Sequence, residues 1–201
     1  MSTQARTQLR HERILDAALS VFASRGYRDA SVDEVAEAAE TSKGGIYFHF
    51  PGKQAIFLAL LERSADLLLA RIAEAVASER EPVARADAAL RAVLRLFGSH
   101  RALARLFMVE AIGAGPDFHL RMAQINGRFR EFIRQNLDEA VRQGTIGPLD
   151  TGLASQVWFG ALNQVVTDWV LAERPEPLES AYPALRALLL RSVGVEPAVA
   201  R

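Results

Sequence analysis

Thr41-Ser42-Lys43-Gly44-Gly45-Ile46-Tyr47-Phe48-His49-Phe50, stopped by Pro51-Gly52, decides how this chain is read. The run is too short for an independent helix. It carries two glycines, each costing about 1 kcal/mol against Ala in a helix. A sequence that keeps both has a backbone that something approaches closely. Ile46 and Phe50 lie at i and i+4, the spacing of an anchored face. They are expected to pack on Ala18, Phe22 and Val35, with Phe48 also in the core. The side chains left outside are short (Thr41, Ser42), absent (Gly44, Gly45) or able to reach a phosphate (Lys43, Tyr47).

Working outward, Ser31-Val32-Asp33-Glu34 is a capping box that starts the preceding helix. Before it lies a longer helix over about 7–25, ended by Gly26. Two short helices joined by a tight turn, after one longer helix, have the dimensions of a helix-turn-helix. The second helix of such a pair enters a major groove while the first braces it. Beyond Pro51 the 3.6 period continues to the end of the chain, and strand-like alternation is absent. The expected fold is all-α, with about nine helices. Further helices are expected over about 53–79, from Pro82 to about 97, 100–112, 116–142, 150–172 and 178–193. Gly98-Ser99 is read as a stop. Residues 1–53 are read as a helix-turn-helix DNA-binding unit and 54–201 as a second helical unit, with the join in the fourth helix rather than in a linker.

Composition bounds the rest. There are 24 basic and 24 acidic residues and no cysteine, which excludes disulfides, thiolate metal sites and Cys nucleophiles. The longest uncharged run, 151–167, is short of a membrane span, which needs about 20 apolar residues. The N-terminus lacks the apolar core of a signal peptide. A cytoplasmic protein without a membrane partner is expected. Arginine outnumbers lysine 22 to 2, so a single Arg says little, and Lys43 and Lys53 say more. Residues 1–53 carry seven basic and seven acidic side chains. DNA binding therefore requires segregation, with Asp33, Glu34, Glu37 and Glu40 held away from phosphates. The four histidines show no helical metal-ligand spacing, and no nucleophile motif occurs. No cofactor, metal or catalysis is expected.

The C-terminal half is rich in large apolar side chains at helical spacing. Phe118, Met122, Ile125 and Phe129 form one stripe, flanked by Asn126. Leu103, Phe107, Trp158, Phe159, Leu162 and Asn163 add to it. Most such residues are core, yet stripes of this kind also wall apolar ligand sites between helices.

The segments 17–27, 31–36 and 43–53 together resemble the DNA-binding domain of the TetR (tetracycline repressor) family, without gaps over about the first 60 residues. The resemblance implies an all-helical, homodimeric transcription regulator that binds an operator in double-stranded DNA. It also implies that 54–201 dimerises and binds a small-molecule effector that releases the DNA. It places Lys43, Gly44 and Gly45 on the reading helix, facing base edges; Thr41 and Ser42 at its start are further candidate DNA contacts by their exposure. Tyr47 and Lys53 match phosphate-contacting positions, with His49 near the backbone, and Ser31 caps a helix aimed at a phosphate. Arg6 and Arg10 are candidates for a flanking arm.

Residues 158–171 resemble the equivalent helix of fatty-acid-degradation regulators within that family, which implies a long-chain acyl-CoA as effector. Arg101 or Arg105 would then meet a CoA phosphate. The family also implies dimerisation through the last two helices, here by Val157, Ala161, Val165 and Trp169 on one and Leu185 and Leu188 on the other. The competing reading from the residues alone is a helical protein-interaction module whose third helix is merely buried.

Overall fold

Helix α1 (Thr3–Arg25) begins earlier than the pattern predicts, so Arg6 and Arg10 are exposed positions on a helix rather than an extended arm. The capping box is present. Ser31 Oγ accepts from the Glu34 amide at 3.1 Å, and the Glu34 carboxylate accepts from the Ser31 amide at 2.8 Å. It opens α2 (Val32–Ala38) and contributes about 1 kcal/mol. Ser42 rather than Thr41 caps α3 (Lys43–His49), its Oγ accepting from Gly45 N at 3.1 Å. This computed structural model describes residues 3–111 and 115–196.

Helix α4 (Lys53–Ala77) follows, then α5 (Pro82–Ser99), with Pro82 in its first turn. Helix α5 ends at Ser99, within the expected Gly98-Ser99 stop, and the Glu179 carboxylate stands 2.8 Å from where a side chain at Gly98 would begin. Helix α6 (Arg101–Arg105) runs on without a break into a π-helical turn (Leu106–Glu110). Helices α7 (Pro116–Arg142) and α8 (Thr151–Leu171), a 3-10 turn (Leu178–Ala181) and α9 (Tyr182–Ser192) complete the fold. The expected loop at 113–114 lies outside the described residues. All regular structure among the described residues is helical.

Helix α4 belongs to two cores. Its first half sends Ile56, Phe57, Leu60, Leu61 and Ala65 into a cluster with α1–α3, Leu106, Phe118 and Ile125. Its second half sends Leu68, Ile72 and Val76 into a cluster with α5, α8 and α9. At the join, Tyr27 stacks on Phe57 (centroids 4.6 Å) and Phe118 meets both rings at 5.3 and 5.5 Å. Each fully buried ring contributes about 1.5–3 kcal/mol. Ion pairs fasten the outside of the join: Arg63 of α4 reaches Glu12 and Asp16 of α1 at 3.0 and 2.9 Å.

Candidate DNA interface and effector cavity

The outer face of α3 is assembled by helical geometry. Ile46 and Phe50 are buried with Ala18, Phe22 and Val35. Ser42, Lys43, Gly44, Tyr47 and Phe48 face solvent. Phe48 is 79% exposed, which overturns its expected place in the core. Two residues past Ile46 it lies about 200° around the helix from the anchored side. It therefore joins Tyr47, which is 49% exposed, as an aromatic side chain on the open face. The 3.6 period applied to Phe48 itself would have found it.

The two glycines differ. A side chain at Gly45 would collide with Thr41 Oγ1, so Gly45 serves the turn within the chain. A side chain at Gly44 would meet only Ser42 Oγ, at an ordinary 3.8 Å, and its bare backbone is exposed. The expectation of close approach to an outside partner therefore survives for Gly44 alone.

The two lysines are both engaged. Lys43 Nζ donates to Asp33 Oδ2 at 2.9 Å, and that bond, with Asp33's charge, raises the amine's pKa. Asp33 is thus not held away from the reading helix, contrary to expectation. The pair is exposed, and such pairs contribute about 0–1 kcal/mol, so Lys43 exchanges Asp33 for another acceptor at little cost. Glu34 and Glu40 are tied elsewhere, to Ser31 and to Arg13. Lys53 Nζ donates to the Arg28 and Ala30 carbonyls, each at 2.9 Å, and stands 4.9 Å from the Tyr27 ring. The positive charge at the start of α4 is thereby balanced by carbonyl oxygens of the α1–α2 connection. His49 is half-buried among His11, Phe48 and Phe50. Burial, then His11 and Arg10, lower its pKa, so the ring is neutral at pH 7.

The second site is a cavity of ≈ 190 Å³ between α4, α5, α7, α8 and α9. Of the residues singled out for a ligand, Phe107, Met122, Asn126, Phe129, Trp158, Phe159, Leu162 and Asn163 line it. Phe118 and Ile125 do not: they are 1% exposed in the first core, and Leu103 packs against that core. Helix α7 passes from one core to the other along its length, so one stripe serves two purposes. The wall also includes side chains that the reading of helices six to eight left out, among them Leu68 and Ile72 of α4 and Leu90, Val93 and Phe97 of α5. Their i, i+3, i+7 spacing on α5 was a legible signal.

Neither arginine expected at the mouth lines this cavity. Arg101 donates to the Val170 and Ala172 carbonyls at 3.0 and 2.5 Å, closing the end of α8, and lies over the Trp169 ring. Arg105 lines a separate polar crevice with Arg25, Gly26 and Glu110. There the Glu110 carboxylate, from the π turn, accepts from Tyr27 N at 3.3 Å and stands 3.7 Å from Arg105. The same π turn sends Phe107 and Met108 into the apolar cavity.

On the far side, Val157 and Leu188 are 52% and 66% exposed, as surface available to a partner requires. Leu185 is 5% exposed and belongs to the chain's own core, which corrects its placement on a dimer face. Ala161, Val165 and Trp169 are half-buried against the same core, and Trp169 Nε1 donates to Glu176 O at 2.8 Å. No group of three His, Asp or Glu side chains that could hold a metal occurs among the described residues. No described helix is long and apolar enough to cross a membrane.

Two family models match the chain. Bacterial regulatory proteins of the tetR family match residues 14–60, and the C-terminal region of YsiA-like proteins matches residues 61–192. The HTH-type transcriptional regulator SrpR of Pseudomonas putida is 33% identical over 159 residues, 77% of this chain and 71% of that protein. The fatty acid metabolism regulator protein of Bacillus subtilis is 23% identical over 92% of this chain and 95% of its own length. Among solved structures, the fatty acid degradation regulator FadR of Bacillus halodurans superposes with a TM-score of 0.83 at 25% identity, covering 89% of this chain and 97% of that one. FadR of Bacillus subtilis in complex with stearoyl-CoA gives 0.83 at 24% identity, covering 91% and 97%.

Proposed function

The chain belongs to the TetR family of bacterial transcriptional regulators, and from that premise we propose that it is a repressor released from its operator by a long, mainly apolar effector, a long-chain acyl-CoA. The observation that carries the effector is the cavity's shape. Met122 and Ala140 both line it, so it follows α7 for about 27 Å at 1.5 Å per residue. A chain-like ligand matches that length, which a compact metabolite does not span. The stearoyl-CoA bound to the Bacillus subtilis relative supports the same class.

On the DNA side, α3 offers Lys43, the bare Gly44 backbone and Tyr47, with Ser42 and Thr41 at its start. Ser31, Lys53 and His49 flank it. The exposed apolar face of α8 and α9, with Val157, Gly160 and Leu188, supports a homodimer and hence a pseudo-palindromic operator. The protein then acts in the cytoplasm, where that operator is.

The effector must bind the DNA-incompetent state more tightly, since equal affinity for both states shifts nothing. Helix α4, anchored in both cores, carries the change. Titrating the protein–operator complex with acyl-CoAs of increasing chain length tests this. Release with a 5–150-fold loss of DNA affinity, a coupling of about 1–3 kcal/mol, is expected for long chains. Release by a polar or aromatic metabolite alone refutes the acyl-CoA assignment. Tyr47→Ala should weaken all DNA sequences alike and lower the salt slope by about 1. Val157→Glu with Leu188→Glu should give monomers in sedimentation.

A further inference from the structure

The two ends of the apolar cavity differ chemically. Near the DNA-binding unit its wall is Phe97, Phe107, Met108 and Met122, with no charge. At the opposite end, α5, α7 and α9 contribute Arg85, Asp87, Asn136 and Arg186. Two of these side chains have a buried atom with no hydrogen-bond partner: Arg85 Nε, a donor, and Asn136 Oδ1, an acceptor. The orientation of the Asn136 amide is fixed, because its Nδ2 donates to Phe132 O at 2.8 Å. Asp87 does not answer Arg85; its carboxylate accepts from Arg186 Nε at 2.7 Å. A buried polar atom without a partner costs about 1–3 kcal/mol. Two of opposite kind at one end of a cavity define the group that would satisfy both.

We propose that the α5–α7–α9 end of the cavity is a subsite for a secondary amide at the end of a long apolar chain. The amide carbonyl accepts from Arg85 Nε, and its N–H donates to Asn136 Oδ1. The chain then extends towards Phe107 and Met122. A bare carboxylate satisfies Arg85 but offers nothing to Asn136, so a free fatty acid is the poorer ligand. The proposal rests on the apolar-effector reading above and adds its polar end. A secondary amide follows an acyl chain in two kinds of compound: the pantetheine arm of an acyl-CoA thioester, and an N-acylated amine. Arg101 and Arg105 have no part in this subsite.

Calorimetry on the full-length protein without DNA tests the proposal with three ligands of equal chain length: the acyl-CoA, the N-acyl ethanolamine and the free fatty acid. At least one amide ligand should bind about tenfold or more tightly than the free acid, and which one does so identifies the source. Asn136→Leu should erase that preference. Arg85→Leu should weaken all three ligands about ten- to a hundredfold. Arg105→Gln should change none. Arg85→Leu, whose Nε lacks a partner, should not unfold at a lower temperature than wild type; Asn136→Leu also loses the Nδ2 bond to Phe132 O, so its thermal unfolding is recorded beside it. If either variant unfolds at a lower temperature, the wild-type preference over the free acid still decides. Equal binding of acid and amides overturns the subsite while leaving the apolar effector standing. Binding of none of the three by the wild type overturns both.

Discussion

Ser31 and Glu34 cap α2 from three residues apart, whereas Arg186 reaches Asp87 across 99. That contrast runs through the two working regions. The DNA-facing unit is made of short helices whose caps, turns and glycines are settled by near neighbours. The effector cavity is walled by α4, α5, α7, α8 and α9, and none of its side chains acquires a role until distant segments meet. The first is a packed core with an open face. The second leaves space where a core would be closed. Closed packing therefore lies beneath α1–α3, and open space among the C-terminal helices.

The difference should show most strongly in ring deletions. Phe57→Ala, in the shared core against Phe22, Tyr27 and Phe118, should cost about 3–5 kcal/mol in urea unfolding. Phe129→Ala, facing the cavity, should cost about 1 kcal/mol or less while reducing effector binding. Equal costs would mean that the cavity is as tightly packed as the core. At the join, Glu110→Ala removes the acceptor of the Tyr27 amide and should cost about 1–3 kcal/mol. It should also reduce the effect of ligand on DNA affinity, measured as the ratio of operator affinities with and without effector.

Gly44→Ala sets stability against function. It should raise helix stability by about 1 kcal/mol and lower operator affinity, the two changes having opposite sign. Unchanged DNA binding would remove the bare backbone from the interface. The smallest expected effect is that of His49. Its pKa in the folded chain lies below the ordinary imidazole value of about 6.5, so the unfolded chain takes up the proton first. Stability should be unaffected above that pH, decline as pH falls through it, and level off below the folded value. His49→Gln should flatten that part of the pH profile, followed by thermal unfolding at a series of pH values.

Local rules made the capping box, the end of α1 and the anchoring of Ile46 and Phe50 readable from the chain. Where a residue's partner is distant, the same rules failed. The carbonyls of Arg28 and Ala30 that hold Lys53 could not be read because they lie on another element. Phe118 and Ile125 looked like pocket wall because a stripe on α7 does not record which core each turn meets. Leu185 looked available for a dimer because the core that buries it is shared with α4 and α5, far back in the chain. Phe48 is the exception: its outward position followed from the period alone.

The π turn at Leu106–Glu110 acts as a gear with one tooth too many. A π turn holds one residue more than the α turn it replaces. Drawing that residue out rotates the downstream chain by about 100° and shifts it by about 1.5 Å along the axis. Phe107 and Met108 sit on this turn inside the cavity, and Glu110 ends it on the Tyr27 amide. A hydrogen bond does not stretch through such a rotation; it is either made or broken. Between cavity and DNA-reading unit the chain thus holds a discrete step, counted in single residues, where a uniform helix would transmit only a graded bend.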